Sequence, residues 1–133
     1  MEMLHKFIWR VNYTIYPYLR DLILFTKVWK HTGRQNFRIG FVKKGVKKND
    51  IKKILGFNGF ETSICSWIDD GEVLSMRKRT KRGRQYHVRF FSDGEIRGHY
   101  EYSPEGAPVF HLLSRFMRSG RRYFCKILKK VLV

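Results

Sequence analysis

Apolar positions follow a helical period at the start of the chain and a period of two in its middle. In residues 2–16, Leu4, Ile8, Val11 and Ile15 recur at spacings of four, three and four, which predicts one stripe of a helix. Pro17 interrupts that stripe and suits the first turn of a second helix over 17–31, which Gly33 can end. Leu19, Leu22, Ile23 and Val28 form its expected buried face. Residues 37–42 (FRIGFV) predict a short strand. A short helix follows, with Asn49 or Asp50 as N-cap, Ile51, Ile54 and Leu55 as its apolar face, and Gly56 as its stop.

From residue 62 the pattern changes. Segments rich in β-formers (62–68, 73–80, 85–91 and 95–102) alternate with three short loops ending in glycine: DDG at 69–71, KRG at 81–83 and SDG at 92–94. Evenly spaced strands with turn chemistry between them predict an antiparallel meander. Loop length then decides which side chains meet. A two-residue turn at Asp93-Gly94 would set Val88 against His99 and Phe90 against Arg97, mixing apolar and charged groups on one face. A three-residue loop with Gly94 left-handed pairs Phe90 with Ile96, Val88 with Gly98 and Tyr86 with Tyr100. The same loop at 81–83 pairs Leu74 with Phe90, Met76 with Val88 and Lys78 with Tyr86. Both loops give one apolar face, so the three-residue register is expected. At 69–71 neither length sorts the residues, and that pairing stays open.

The opposite face follows from this register, in rows Arg79–Gln85–Glu101, Arg77–His87–His99, Ser75–Arg89–Arg97 and Val73–Phe91–Glu95. Beyond it, YSPEGAP (102–108) is a loop and VFHLLSRFM (109–117) a helix. Phe124, Ile127, Leu128 and Val131 then lie at helical spacing, among β-formers that also permit a terminal strand. The whole predicts one α+β domain. It has N-terminal helices (1–35), a β-rich part with one short helix (36–103) and a basic C-terminal helical part (104–133). The meander has four strands, with room for a fifth short one.

Charge changes this picture more than size does. The 133 residues hold 28 Lys plus Arg against 11 Asp plus Glu, a net +17. A surplus of that size points to partners rather than fold: nucleic acid, an acidic protein or an anionic membrane. From Val73 onward there are 15 Lys/Arg and 4 Asp/Glu, so the surplus is concentrated in the second half. With 43% hydrophobic residues the chain is too apolar for a disordered tail. No stretch reaches the roughly 20 apolar residues that span a bilayer. Cys65 and Cys125 sit in apolar runs without metal spacing and are expected as buried free thiols in a reducing, cytoplasmic setting.

Like charges directly across a sheet cost up to about 1 kcal/mol per pair. Arg89 beside Arg97, and Arg77 beside two histidines, therefore suggest an anion over that face. The expected nucleic-acid contacts are Arg77, Arg79, Lys81, Arg82, Arg84, His87, Arg89, Phe91 and Arg97, joined by Arg121, Arg122 and Lys126. Phe91 supplies a stacking surface, which puts RNA or a single strand ahead of duplex DNA. The leading function class is thus non-catalytic nucleic-acid binding. One alternative is a metal-independent ribonuclease using His87, His99 and Glu101 beside the arginines. Another is a basic module that docks an acidic protein; peripheral membrane contact ranks last. No cofactor is implied. A metal on His87, His99 and Glu101 is disfavoured by the neighbouring arginines, and Asp69, Asp70 and Glu72 are read as turn chemistry. The lysines at 47, 48, 52 and 53 crowd a helix N-terminus, where cations oppose the dipole, and a solvated turn explains them most simply.

Overall fold

The computed structural model describes residues 36–62, 70–112 and 117–133, with eight separate positions between Met3 and Phe25. Its elements are β1 (Phe37–Phe41), α1 (Lys48–Phe57), β2 (Glu61–Thr62), β3 (Glu72–Thr80), β4 (Arg84–Phe91), β5 (Glu95–Tyr102), α2 (Pro108–Leu112), β6 (Met117–Arg118) and α3 (Arg121–Ile127). The architecture is α+β. One antiparallel sheet runs in the order β1-β5-β4-β3-β2, and β6 pairs with β5 beyond the end of β1.

Both three-residue loops occur. Thr80 pairs with Arg84 and Phe90 with Ile96, while Val88–Gly98, His87–His99 and Arg89–Arg97 fall directly opposite one another. Gly94 is left-handed, as expected, whereas the 81–83 loop places both Arg82 and Gly83 at a φ of 64°. The 69–71 register, open in the sequence, is set by an irregularity in β3. Glu72 pairs with Phe91, and the register shifts before Leu74. Glu72 therefore takes the place expected of Val73, which is exposed. An extra residue in one strand of a pair does this, because two residues then oppose one.

The apolar face packs under α1, α3 and the chain end. Leu74, Met76, Val88, Phe90 and Ile96 meet Ile39, Ile51, Leu55, Phe60, Phe124, Leu128 and Val131 in one cluster. Gly98 makes this packing possible: a β-carbon there would come 2.8 Å from Cε2 of Phe124. Lys78, opposite Tyr86, reaches outward and donates to the Tyr123 hydroxyl at 2.9 Å.

Several ends differ from expectation. Lys47 occupies the N-cap of α1, so Asn49 and Asp50 lie within its first turn. The helix runs through Gly56, and Gly59 stops it with φ 83°. Gly59 N–H bonds to Gly56 O and Phe60 N–H to Leu55 O, which satisfies the last carbonyls and seats Phe60 on Leu55. Of the expected helix over 109–117, α2 covers the residues to Leu112 and Met117 belongs to β6, while 113–116 lie outside the described residues. At the C-terminus both readings hold in part. α3 buries Phe124 and Leu128, and Leu132 then bridges to Val42.

The described N-terminal positions, Met3, Phe7, Val11, Thr14, Ile15, Tyr18, Leu22 and Phe25, are helical. Leu22, expected in a buried face, is 60% exposed, and Val11 and Ile15 are exposed as well. Leu4, Ile8, Leu19, Ile23, Val28, the Pro17 and Gly33 boundaries, strand 62–68 beyond Thr62, and Cys65 lie outside the described residues. Cys125 is free and half-buried. Among the described residues, no helix is long and apolar enough to cross a membrane.

Candidate functional site

The second face of the sheet carries the rows that its register dictates, but it is buried. Arg77 is 2% exposed, His87 5%, His99 3% and Glu101 5%, and Gln85, Arg89 and Phe91 are buried too. The structure thus places Arg77, His87, Arg89 and Phe91 away from solvent, where they offer no open surface to a strand. The ribonuclease groups are likewise brought together and closed off.

Glutamates account for this burial. Arg77 bonds through Nη1 to Glu105, with Gln85 Oε1 at 3.5 Å. Glu72, carried inward by the β3 irregularity, lies 3.5 Å from Arg89. Glu95 Oε1 accepts from Nε of Arg38 at 2.8 Å and from Nε of Arg97 at 3.0 Å. At the rim, Glu61 lies 3.1 Å from Arg79. The like-charge rows that suggested an external anion are therefore neutralised from within. Glutamates from β2, β3, β5 and the loop after β5 do this, and three of them (Glu61, Glu72 and Glu105) lie outside the cross-strand rows given above.

A histidine cluster occupies the centre of this layer. His87 and His99 meet edge to face with ring centroids 5.1 Å apart. Ser75 Oγ lies 2.7 Å from His87 Nε2. His99 Nε2 stands 2.8 Å from Glu101 Oε1, yet neither ring nitrogen of His99 has hydrogen-bond geometry to any partner. The distance reflects proximity rather than an aligned bond. Gln85 Nε2 donates to Glu101 Oε1 at 3.0 Å, and His111 Nδ1 lies 3.4 Å from Glu101 Oε2 and 2.8 Å from Tyr102 O.

Burial, reinforced by Arg89 and His99, holds His87 well below the ordinary imidazole value, so it is neutral. Burial alone would raise Glu101, but His99 and His111 outweigh it and hold the carboxyl well below its usual range. Burial would lower His111, but its bonds to Glu101 and Tyr102 O raise it.

The remaining expected residues do reach solvent. Arg79, Lys81 and Arg82 are exposed, and Arg84 is half-buried over the Tyr102 ring. The tip they form is anchored, since Ser103 N–H bonds to Gly83 O at 2.8 Å. Arg97 is partly buried against Asn36 O. Arg121, Arg122 and Lys126 are exposed on α3.

A second set of basic residues is exposed on the other side of the fold. Lys43, Lys44, Lys47, Lys48, Lys52 and Lys53 are all exposed, with Asp50 the single acid among them. Residues 117–133 add Arg118, Arg121, Arg122, Lys126, Lys129 and Lys130, all exposed, and contain no acid. Backbone bonds join the two stretches: Lys43 N–H to Val131 O at 2.7 Å and Val133 N–H to Phe41 O at 2.9 Å. A usable signal was the cation type. Residues 43–53 use lysine alone, the strongly hydrated choice for a wet surface, whereas the buried cations are arginines.

No family of proteins, curated protein or solved structure matches this chain. Its function is therefore read from geometry.

Proposed function

We propose that the protein binds nucleic acid without catalysis, through phosphate contacts on its helix side rather than on its polar sheet face. One observation carries this reading: the exposed cations of 43–53 and 121–130 adjoin, and within those two stretches Asp50 is the single acid. The described glutamates lie inside or at the rim of the opposite layer, so they do little to screen this surface. Such an array neutralises phosphates and releases counterions, giving affinity and salt dependence but little base discrimination. Lys81 and Arg82 at the anchored hairpin tip provide a second, smaller cationic point. With Phe91 buried, the stacking argument for single strands loses its basis, and RNA and DNA stand level.

The test is fluorescence anisotropy with labelled single-stranded RNA and duplex DNA over a salt series. The wild type is compared with Lys126→Gln/Lys129→Gln/Lys130→Gln and with Lys47→Gln/Lys48→Gln/Lys52→Gln/Lys53→Gln. Log affinity should fall linearly with log salt. Each phosphate that a variant no longer neutralises should reduce the slope by about 0.9 for duplex DNA or about 0.7 for a single strand. No binding at low salt, or slopes unchanged in both variants, would overturn the proposal. Binding instead to an acidic protein surface would move the function to the interaction-module class.

A further inference from the structure

We propose that His87, His99 and Glu101 form a binding site for a divalent first-row transition metal of the zinc class, set between β4 and β5. One ligand atom from each residue lies within 4.8 Å of the others. Zinc takes imidazole nitrogen at about 2.0–2.1 Å and carboxylate oxygen at about 2.0–2.2 Å, which puts tetrahedral ligands roughly 3.4 Å apart. Closing the three donors onto a metal needs only a modest contraction.

Chemistry at the cluster points the same way. His99 is 3% exposed and has no hydrogen-bond partner for either ring nitrogen, though it stands 2.8 Å from a carboxylate oxygen. Nδ1 has no bond and Nε2 only this misaligned contact, so the desolvation of the imidazole is incompletely repaid. A metal accepting its lone pair removes that cost. The supports expected around metal ligands are present. Ser75 Oγ holds the His87 ring, and Gln85 and His111 engage the Glu101 carboxylate. Such partners orient ligands and tune their affinity.

The neighbouring arginines argue against this site less in the structure than in the sequence. Arg77 is paired with Glu105, and Arg89 lies beside Glu72. These carboxylates offset part of the arginine charge, although Arg89 still acts on His87. Three protein donors leave one tetrahedral position for a further ligand, and because they come from β4 and β5 the metal would tie the two strands together. Such a site stands whether or not the helix side binds nucleic acid.

The test loads chelator-treated full-length protein with zinc and measures stoichiometry and melting temperature. One equivalent should be retained, and Tm should rise by roughly 8 °C with free zinc at a hundredfold excess over Kd. His99→Gln and Glu101→Gln should lose that equivalent. His111→Gln should weaken it about 10- to 100-fold. Should the ligand variants fail to fold, cobalt loading of the wild type decides. Tetrahedral d–d absorption without a thiolate charge-transfer band supports the site, and a thiolate band assigns the metal to cysteine and overturns it. Absent uptake by the wild type, or uptake that persists in folded His99→Gln, also overturns it.

Discussion

Replacing Glu105 with alanine tests whether the polar face of the sheet is truly buried. The Glu105 side chain has no exposed surface and that of Arg77 only 3%, and the two bond directly. Removing one partner of a buried ion pair leaves a desolvated charge and typically costs about 3–5 kcal/mol. Arg77 keeps Gln85 at 3.5 Å and Glu61 at 3.8 Å from its guanidinium, so the lower end, about 3 kcal/mol, is the expected loss. In a domain of this size that is roughly a 10 °C fall in Tm. Replacing the pair with apolar groups of similar volume is often near neutral, so Arg77→Met/Glu105→Leu should recover most of the loss. Urea unfolding of the wild type, both single variants and the double variant measures this as a cycle. A loss below about 1 kcal/mol in Glu105→Ala would mean that water reaches Arg77. The burial argument would then fail, and the sheet face would return as a candidate phosphate surface.

Gly98→Ala would set a β-carbon 2.8 Å from Phe124 Cε2 and 3.1 Å from His87 O. It should destabilise by about 1–3 kcal/mol, with Phe124→Leu relieving part of the loss; a neutral urea midpoint would refute the close packing. In chelator-treated protein, stability should be greatest near pH 6.5. His111 has a raised folded value, so its contribution is full below about 6.5 and is lost as pH rises through that raised value. His87 has a lowered folded value, so its contribution is present above about 6.5 and is lost as pH falls towards that value. Glu101 adds a further loss only below its unfolded value of about 4.5. Urea midpoints across pH 4–9 check this, and a flat profile between pH 7 and 5 would contradict the assignment of His87 as a neutral buried base.

Register was legible in the sequence, while burial was not, for separate physical reasons. Strand pairing follows from local chemistry: Gly83 and Gly94 close three-residue loops, and alternation sorts Phe90–Ile96 and Met76–Val88 onto one side. The other side alternates just as regularly whether water or protein lies over it. What separates those cases is the origin of the counter-charges. Glu105 reaches Arg77 from 28 residues away, and Glu61 comes to Arg79 from the strand before β3. Glu72 reaches Arg89 only because β3 carries an irregular residue pair that no periodicity announces. Cross-strand neighbours alone set Arg89 against Arg97 and suggest a missing anion, although the anions are covalently present elsewhere in the chain.

Internal neutralisation sharpens the charge contrast rather than removing it. Glu72, Glu95, Glu101 and Glu105 have buried side chains, and each lies against a cation or a histidine. Those acids are matched internally, and the cations they neutralise are arginines. The planar, weakly hydrated guanidinium tolerates such sites where an ammonium does not. Fold formation thus sorts the basic residues into two populations. Paired arginines hold the polar layer together, while the lysines at 43–53 and Arg121, Arg122, Lys126, Lys129 and Lys130 are exposed to water. A net charge of +17 spread evenly would give a diffuse attraction for any polyanion. Among the described residues the exposed cations gather on the β1–α1 segment and the C-terminal tail, so charge removal there should reduce the proposed phosphate binding while the buried arginines govern stability.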